Sequence, residues 1–199
     1  MTAIPTQLHF HTSGYVVLKN LVSDTDIKRL NSHLLDTMAK GTLDDGQVPG
    51  SPSCYLDPEV EKLQLQLTPQ IEADIGKQLI PVFCYHRVYR TGAVLRMHKD
   101  STRAEISATI NLGQTGSPWP IWLIDYDENP HCVVLESGDA LIYYGNRLYH
   151  WRGKLVGSDY VTQIMFHYID RAGKNKMAAR LEFIRRIRKR VRSWFRMNY

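Results

Sequence analysis

Residues 82–89 read VFCYHRVY and begin a series of short runs rich in aromatic and β-branched residues. Turn-forming residues separate these runs, for example at Ser137-Gly138 and at Gly145-Asn146. Short strands at such close spacing are typical of a β-sandwich or a β-barrel. The other runs are EISATINL (105–112), PIWLIDY (120–126), CVVLE (132–136), DALIYYG (139–145) and DYVTQIMFHYI (159–169).

The part of the chain before residue 80 predicts one strand and the first of two helices. The apolar run Tyr15-Val16-Val17-Leu18 is typical of a strand. Ser23 and Asp26 have the spacing of a capping box, and an apolar stripe follows them as far as Met38. We therefore expect a helix that begins after Ser23 and ends before Gly41.

A loop and a second helix are predicted next. Residues 42–54 are rich in Gly, Pro and Asp and favour a loop. Asp57-Pro58 is a helix start, and Thr68-Pro69 is expected to restart the helix, which continues to Leu79. Because these helices precede the strands, the fold class predicted for the chain is α+β.

Composition predicts a globular protein. The chain has 199 residues, of which 43% are hydrophobic, 10% aromatic and 23% charged. The start MTAIPTQLHF has no basic segment followed by an apolar run, so we expect no secretory leader. Three widely spaced cysteines give neither a disulfide framework nor a zinc pattern, and a cytoplasmic location is the simplest expectation.

Charge divides the chain into an expected domain over residues 1–170 and a basic tail over residues 171–199. The tail carries eleven Lys and Arg residues and one acidic residue, Glu182. Within it, residues 178–196 predict a basic amphipathic helix with Trp194 and Phe195 on the apolar stripe. This helix suits packing on the protein itself or on a second subunit, an anionic membrane surface to which the chain binds peripherally, or nucleic-acid phosphates.

The strongest chemical signal in the sequence is Met97-His98-Lys99-Asp100. In an extended segment, His98 and Asp100 point to the same side of the chain. His150 is the best candidate for a third metal ligand, and two imidazoles with one carboxylate suit non-haem Fe(II). Three coordination positions then remain for O₂ and a bidentate keto acid. The histidines that compete for the third position are His33, His86, His131 and His167.

Residues 10–170 resemble the 2-oxoglutarate and Fe(II)-dependent oxygenases, especially their prolyl-hydroxylase-like and phytanoyl-hydroxylase-like branches. The motifs that carry the resemblance are Phe10 and Gly14-Tyr15-Val16-Val17-Leu18, Tyr89-Arg90-Thr91-Gly92, His98-Lys99-Asp100, Gly138-Asp139 and His150. The resemblance implies a double-stranded β-helix, the cupin-like jelly roll, with the N-terminal helices packed on one sheet. It also implies that His98, Asp100 and His150 bind iron inside the mouth of the barrel.

The same resemblance implies a reaction and its cofactors. Fe(II) and 2-oxoglutarate are the expected cofactors, and ascorbate is a further candidate. 2-Oxoglutarate would be decarboxylated to succinate while the substrate is hydroxylated. Related halogenating enzymes typically lack the carboxylate ligand, so Asp100 favours a hydroxylase. The substrate is not predicted.

One expected feature of these enzymes is missing from its usual place. They usually bind the distal carboxylate of 2-oxoglutarate through an Arg or Lys about nine to thirteen residues after the last histidine. Residues 159–163 occupy that window here and contain no cation. The candidate replacements are Arg152, Arg87, Arg147 and Arg103, with Tyr89, Asn111 and Gln163 as hydrogen-bond donors.

The sequence leaves two other classes of function open. One is a non-catalytic jelly-roll binding module that the basic tail tethers to a membrane or to nucleic acid. The other is a cupin-type metal enzyme that uses no keto acid. Production of succinate would separate the oxygenase from the binding module, whereas cupin-type metal sites are usually richer in histidine.

Overall fold

The computed structural model describes residues 5–39 and 46–173. Within these ranges the chain forms three helices and ten strands, so the predicted α+β class is confirmed. The helices are α1 (Thr6–Ser13), α2 (Asp24–Ala39) and α3 (Pro58–Ile75). The strands are β1 (Tyr15–Leu18), β2 (Ser53–Tyr55), β3 (Leu79–Arg90), β4 (Leu95–His98), β5 (Ile106–Gln114), β6 (Ile121–Ile124), β7 (Pro130–Val133), β8 (Ala140–Tyr143), β9 (His150–Arg152) and β10 (Tyr160–Asp170).

The strands form two antiparallel sheets that pack face to face. The larger sheet has the strand order β1-β8-β5-β10-β3-β2, and the smaller sheet has the order β4-β9-β6-β7. Apolar side chains of both sheets share one core, for example Leu141 of the larger sheet and Leu123 and Val133 of the smaller one. This is the arrangement that the double-stranded β-helix requires.

Helices α2 and α3 cover the outer face of the larger sheet. The Thr162 hydroxyl on β10 donates to Asn31 Oδ1 on α2 at 2.6 Å. Gln64 on α3 donates to the backbone carbonyls of Phe83 and His167, at 3.3 and 3.2 Å. The predicted packing of the N-terminal helices on one sheet is therefore confirmed.

The alternation of side chains along the strands separates an inner face from an outer face. On β10, Gln163, Met165 and His167 point between the two sheets, whereas Ile164 and Phe166 point toward the helices. Both faces are covered, so all of β10 after its first residue is buried. Strand β3 lies beside β10 and follows the same alternation, with Tyr85 and Tyr89 on the inner face.

Three predicted elements need correction. Thr6–Ser13 forms a helix that the sequence did not predict, because Phe10 is its only buried residue and no apolar stripe marks it. Helix α3 does not restart at Pro69 but passes through it as one helix, with the Thr68 hydroxyl donating to the Gln64 carbonyl at 2.6 Å. Residues 53–55 form strand β2 inside the predicted loop, because they pair with β3.

The predicted helix starts are confirmed. The Ser23 hydroxyl oxygen accepts from the Asp26 amide at 3.2 Å and donates to the Asp26 carboxylate at 2.9 Å. Asp57 caps α3 by accepting from the amides of Glu59 and Val60. The predicted amphipathic helix over residues 178–196 lies outside the described residues, as does most of the 171–199 segment. None of the helices in the described part is both long and apolar enough to cross a membrane.

Candidate metal centre

Two histidines and an aspartate converge at the edge of the smaller sheet. His98 ends β4 and His150 begins β9, and these two residues are direct partners in the strand register. Asp100 follows β4, and its Oδ1 lies 3.7 Å from His98 Nε2 and 3.6 Å from His150 Nε2. The potential ligand atoms of the three residues all lie within 4.8 Å of one another.

Backbone carbonyls hold both imidazole rings in the orientation that a metal requires. His98 Nδ1 lies 2.8 Å from the Arg96 carbonyl, and His150 Nδ1 lies 3.1 Å from the Leu148 carbonyl. A neutral ring that donates through Nδ1–H keeps the lone pair on Nε2 for a metal. Burial, together with the neighbouring His150, lowers the pKa of His98, which favours this neutral form.

The carboxylate of Asp100 is fixed from its other side. The Asp100 amide donates to the Gly145 carbonyl at 2.8 Å, and the Ser107 hydroxyl donates to Asp100 Oδ2 at 2.6 Å. Oδ1 is thereby left to face the two imidazoles. Burial acts to raise the pKa of Asp100, but His150, His167 and Ser107 together hold it well below its usual range. The carboxylate is therefore ionised at neutral pH, as a metal ligand must be.

Gly145, which the sequence predicts as part of a turn, also makes room for the Asp100 carboxylate. A Cβ atom at this position would lie 2.2 Å from Asp100 Oδ2 and 2.3 Å from the Ser107 hydroxyl oxygen. The close approach of the β8–β9 connection to Asp100 is thus possible only without a side chain at residue 145. The sequence signal for this contact is a glycine two residues after a buried strand.

His167 lies in the same pocket without joining the three converging ligand atoms. Its Nδ1 lies 3.0 Å from the Ser107 hydroxyl oxygen, and the proton of that hydroxyl goes to Asp100. The His167 Nδ1–H must therefore be the donor, and Nε2 remains as a buried acceptor that no described residue contacts by a hydrogen bond. Burial lowers the pKa of His167 to about 4, so this ring is neutral at physiological pH.

The remaining histidines that competed for the third position lie elsewhere. His131 pairs with Asp125 at 2.7 Å. His33 and His86 both lie near Asp57, on the outer face of the larger sheet.

Arg152 is the cation that the structure brings beside the three residues. Its side chain is buried at the end of β9, and one guanidinium nitrogen donates to Gln163 Oε1 at 2.8 Å. Another donates to the Trp119 carbonyl, and the guanidinium carbon lies 4.9 Å from the centroid of the Trp119 ring. Over residues 5–39 and 46–173, no carboxylate lies within ion-pair distance of this guanidinium.

The charge of Arg152 has a consequence for binding. Burial lowers the pKa of Arg152 to about 10, so the guanidinium is still charged at neutral pH. A buried charge without a counter-charge costs free energy, and an anionic ligand in this pocket would offset that cost.

The other candidates for the carboxylate anchor are placed differently. Arg87 lies on the same strand face as Tyr85 and Tyr89, is fully buried, and donates to the Ser51 carbonyl at 2.9 Å. The Asn111 amide donates to the Leu135 carbonyl at 2.9 Å and is not part of the pocket lining. Two further arginines are exposed: Arg147 beside Glu105 and Tyr144, and Arg103 over the Phe83 ring.

Two connected spaces adjoin the three converging residues. The inner pocket lies between the sheets, and its polar lining consists of Gln47, Tyr85, Tyr89, His98, Asp100, Thr109, Tyr143, His150, Arg152, Gln163 and His167. The outer cavity has a volume of about 390 Å³ and is lined by aromatic residues and by Lys99. Gln47 lies where the two spaces meet, with its amide nitrogen 3.4 Å from His98 Nε2.

The donor set fits a non-haem ferrous ion. Two neutral imidazoles and one carboxylate on one side of an ion are the ligands of that metal class, and they leave positions open for other ligands. The uncompensated Arg152 guanidinium in the same pocket fits a carboxylate-bearing ligand bound next to the metal.

The fold is one that solved structures of a single class of enzymes share. The described chain has the fold of the 2-oxoglutarate and Fe(II)-dependent oxygenases, so the predicted resemblance is confirmed at the level of the fold. A prolyl-4-hydroxylase from Pseudomonas putida superposes with a TM-score of 0.66 at 17% identity, over 82% of this chain and 96% of that one.

Two further solved structures with this fold are a protein with 2-oxoglutarate bound and a carbocyclase. HygX from Streptomyces hygroscopicus, with nickel, 2-oxoglutarate and hygromycin B bound, superposes with a TM-score of 0.67 at 16% identity, over 83% of this chain and 87% of that one. The 2-oxoglutarate-dependent carbocyclase SnoK of nogalamycin biosynthesis gives a TM-score of 0.70 at 13% identity, over 85% and 84%. No family model matches the sequence, and no curated protein matches it.

Proposed function

We propose that the protein is an Fe(II)- and 2-oxoglutarate-dependent dioxygenase that hydroxylates its substrate. The observation that carries this proposal is the convergence of His98, Asp100 and His150 beside the buried Arg152, which has no carboxylate partner among the residues that the structure describes. Bound there, Fe(II) would couple the decarboxylation of 2-oxoglutarate to succinate with the transfer of an oxygen atom from O₂ to a substrate C–H bond.

His98, Asp100 and His150 are the proposed iron ligands. Their protonation states suit that role without rearrangement, since the two rings are held through Nδ1 and the carboxylate is ionised. Ser107 keeps the Asp100 carboxylate oriented, because its hydroxyl hydrogen bond occupies the second oxygen.

Arg152 is the proposed anchor for the distal carboxylate of 2-oxoglutarate. Gln163 Oε1 accepts from Arg152 at 2.8 Å and from the Thr109 hydroxyl at 3.1 Å, and so holds the guanidinium in place. Tyr143, whose pKa burial raises well above its usual value, stays protonated and can donate to an anion in the pocket. These groups replace the Arg or Lys that the window at residues 159–163 lacks.

The proposed route for the substrate is the outer cavity. This cavity reaches His98 and Asp100 from outside, and Tyr55, Phe83 and Tyr85 form an aromatic wall along it. Lys99 lies at its rim, where its ammonium group lies over the Tyr149 ring at 4.3 Å. His167 Nε2 is placed to accept a hydrogen bond from a substrate at the boundary of the two spaces.

The proposal is tested by anaerobic titration of the protein with Fe(II) and then with 2-oxoglutarate. A visible metal-to-ligand charge-transfer band is expected when both are bound, together with succinate formation on addition of O₂. His98→Ala and Asp100→Ala should abolish the band, whereas the control His131→Ala, which removes a histidine remote from the pocket, should retain it. Iron binding without a band on addition of 2-oxoglutarate would overturn the co-substrate assignment.

The hydroxylase outcome needs its own test. Solved structures with this fold include an epimerase and a carbocyclase as well as a hydroxylase. Mass spectrometry of the product should show the gain of one oxygen atom. A product that has lost two hydrogens would indicate ring closure, and a product with the mass of the substrate would indicate epimerisation. Either result would overturn hydroxylation but not the proposed iron site.

A further inference from the structure

A second cluster of metal-ligating side chains lies on the outer face of the larger sheet, away from the pocket. Cys54 on β2 and His86 on β3 are direct partners in the antiparallel register, so their side chains lie side by side. Asp57 follows β2 as the cap of α3. The potential ligand atoms of these three residues lie within 4.8 Å of one another.

The two carboxylate oxygens of Asp57 make different contacts. Oδ1 accepts from the amides of Glu59 and Val60, at 3.0 and 3.2 Å, and so caps the helix. Oδ2 faces two histidines, with His33 Nε2 at 2.8 Å and His86 Nε2 at 3.6 Å. The helix cap therefore fixes the carboxylate in a position where its second oxygen can serve as a ligand.

His86 is the member of the cluster that hydrogen bonding does not explain. The residue is fully buried, and within the described part of the chain neither Nδ1 nor Nε2 has a hydrogen-bond partner. Leaving a buried polar group unpaired is unfavourable, so such a group calls for a specific reason. The ring nitrogen Nε2 points toward the Asp57 carboxylate at a distance too long for a hydrogen bond, which leaves room for an ion between them.

The geometry points to a divalent-metal site, best suited to Zn²⁺, with Cys54 Sγ, Asp57 Oδ2 and His86 Nε2 as its ligands. One thiolate, one imidazole and one carboxylate are all donors that zinc accepts in a tetrahedral site. His33 is a positioning residue, since its ring binds the carboxylate oxygen that would face the metal. The fourth position is left to a water molecule.

Binding of the metal would release a proton. Burial and the neighbouring Asp57 raise the pKa of the Cys54 thiol, so this group is protonated at neutral pH before a metal binds. The ion would displace that proton as the Zn–S bond forms, and affinity should therefore increase with pH. No redox partner is required.

The site would join elements that also form the wall of the inner pocket. Its ligands tie β2 and β3 to the start of α3. Just before β2, the Ser51 carbonyl accepts from Arg87, and Gln47 lines the inner pocket. A metal here would stabilise the 46–55 segment against β3. It would not take part in the proposed oxygenase reaction, and the two proposals stand or fall independently.

Cobalt(II) titration of the full-length protein tests the inference, because Co²⁺ bound to a thiolate gives a near-ultraviolet sulfur-to-metal charge-transfer band. The proposed iron site contains no sulfur and cannot produce that band. In the wild-type protein this band should saturate at one equivalent of Co²⁺. Addition of Zn²⁺ should displace the cobalt and abolish the band. Cys54→Ser should lose the band, whereas the matched control Cys132→Ser, which changes an exposed cysteine, should keep it.

Two more variants separate metal binding from folding. Asp57→Asn keeps an oxygen for the helix cap and should still weaken Zn²⁺ binding. His33→Gln should weaken it by roughly 10- to 100-fold, the usual effect of losing a group that orients a ligand. Circular dichroism verifies that each variant is folded, and His98→Ala should leave the cobalt band unchanged.

The inference is overturned if the wild-type protein gives no thiolate band with Co²⁺. It is equally overturned if Cys54→Ser retains the band at full intensity. In either case the cluster is a His33–Asp57 hydrogen bond with His86 packed beside it, and it holds no ion.

Discussion

At the scale of single residues, the position of Asp100 depends on the missing side chain of Gly145. A Cβ atom there would overlap the Asp100 carboxylate and the Ser107 hydroxyl. We expect Gly145→Ala to weaken Fe(II) binding at least about 10-fold, because the carboxylate must leave its place between the two imidazoles. Anaerobic Fe(II) titration measures the effect.

Gly153→Ala is the matched control for this substitution. A Cβ atom at Gly153 meets no other atom within 4 Å, so iron affinity should stay at the wild-type level. Equal affinity in the Gly145→Ala and Gly153→Ala variants would contradict the role assigned to the β8–β9 connection.

The contribution of the Arg152 charge to 2-oxoglutarate binding can be tested by a single substitution. Arg152→Gln keeps a polar group but removes the charge, so 2-oxoglutarate binding should weaken by about 10- to 100-fold, the loss of a charge-assisted hydrogen bond. Fe(II) affinity should change little, since Arg152 is not a proposed ligand. The exposed Arg147→Gln is the control and should bind 2-oxoglutarate normally. Wild-type affinity in Arg152→Gln would move the anchor to Arg87.

At the scale of secondary-structure elements, Asp139 joins the end of β1 to the start of β8. Its carboxylate accepts from Lys19 Nζ at 2.5 Å and from the backbone amides of Asn20 and Glu136, at 3.1 and 2.9 Å. Burial acts to raise the pKa of Asp139, but these donors lower it below its ordinary value of 3.8. The contacts are therefore strongest when the carboxylate is ionised.

The lowered pKa gives a pH-dependent prediction. A carboxyl group whose pKa is lower in the folded state contributes stability above about pH 4 and loses that contribution as the pH falls through its folded-state pKa. Asp139→Asn should lower the free energy of unfolding by about 1–3 kcal/mol at pH 7 and by less at pH 3. Urea unfolding at both pH values measures this, with the exposed Asp127→Asn as control. An equal loss at both pH values would contradict the ionic origin of the stabilisation.

At the scale of the whole molecule, the proposed ligands should stabilise the fold because their site joins the two sheets. His98 and Arg152 belong to the smaller sheet, whereas Thr109 and Gln163 belong to the larger one. A ligand present at 100 times its Kd stabilises the native state by about 2.7 kcal/mol. The Tm of a domain of this size should then rise by roughly 5–10 °C.

Thermal unfolding under anaerobic conditions checks this linkage. Fe(II) and 2-oxoglutarate together should raise the Tm of the wild-type protein but not that of Asp100→Ala. A rise of the same size in that variant would place the stabilising ligand somewhere other than the pocket.

The sequence by itself determined most of the secondary structure and one half of the metal site. Period-two alternation, turn residues and helix caps act over a few residues, so β1, the start of α2 and the cap of α3 were all predictable. The convergence of His98 with Asp100 was predictable for the same reason, because a single residue separates them in the sequence. The continuous helix through Pro69 was not, since packing of α3 on β3 overrides the local cost of proline.

Only the tertiary structure decided which distant residues meet. Several histidines competed for the third position, and the pairing of β4 with β9 brings His150 to His98 and leaves His131 at Asp125. The burial of Arg152 without a carboxylate partner and the side-by-side placement of Cys54 and His86 also follow from strand register. Register depends on the hydrophobic patterns and turns of all the strands that pair, so the spacing of these few residues along the chain does not reveal it.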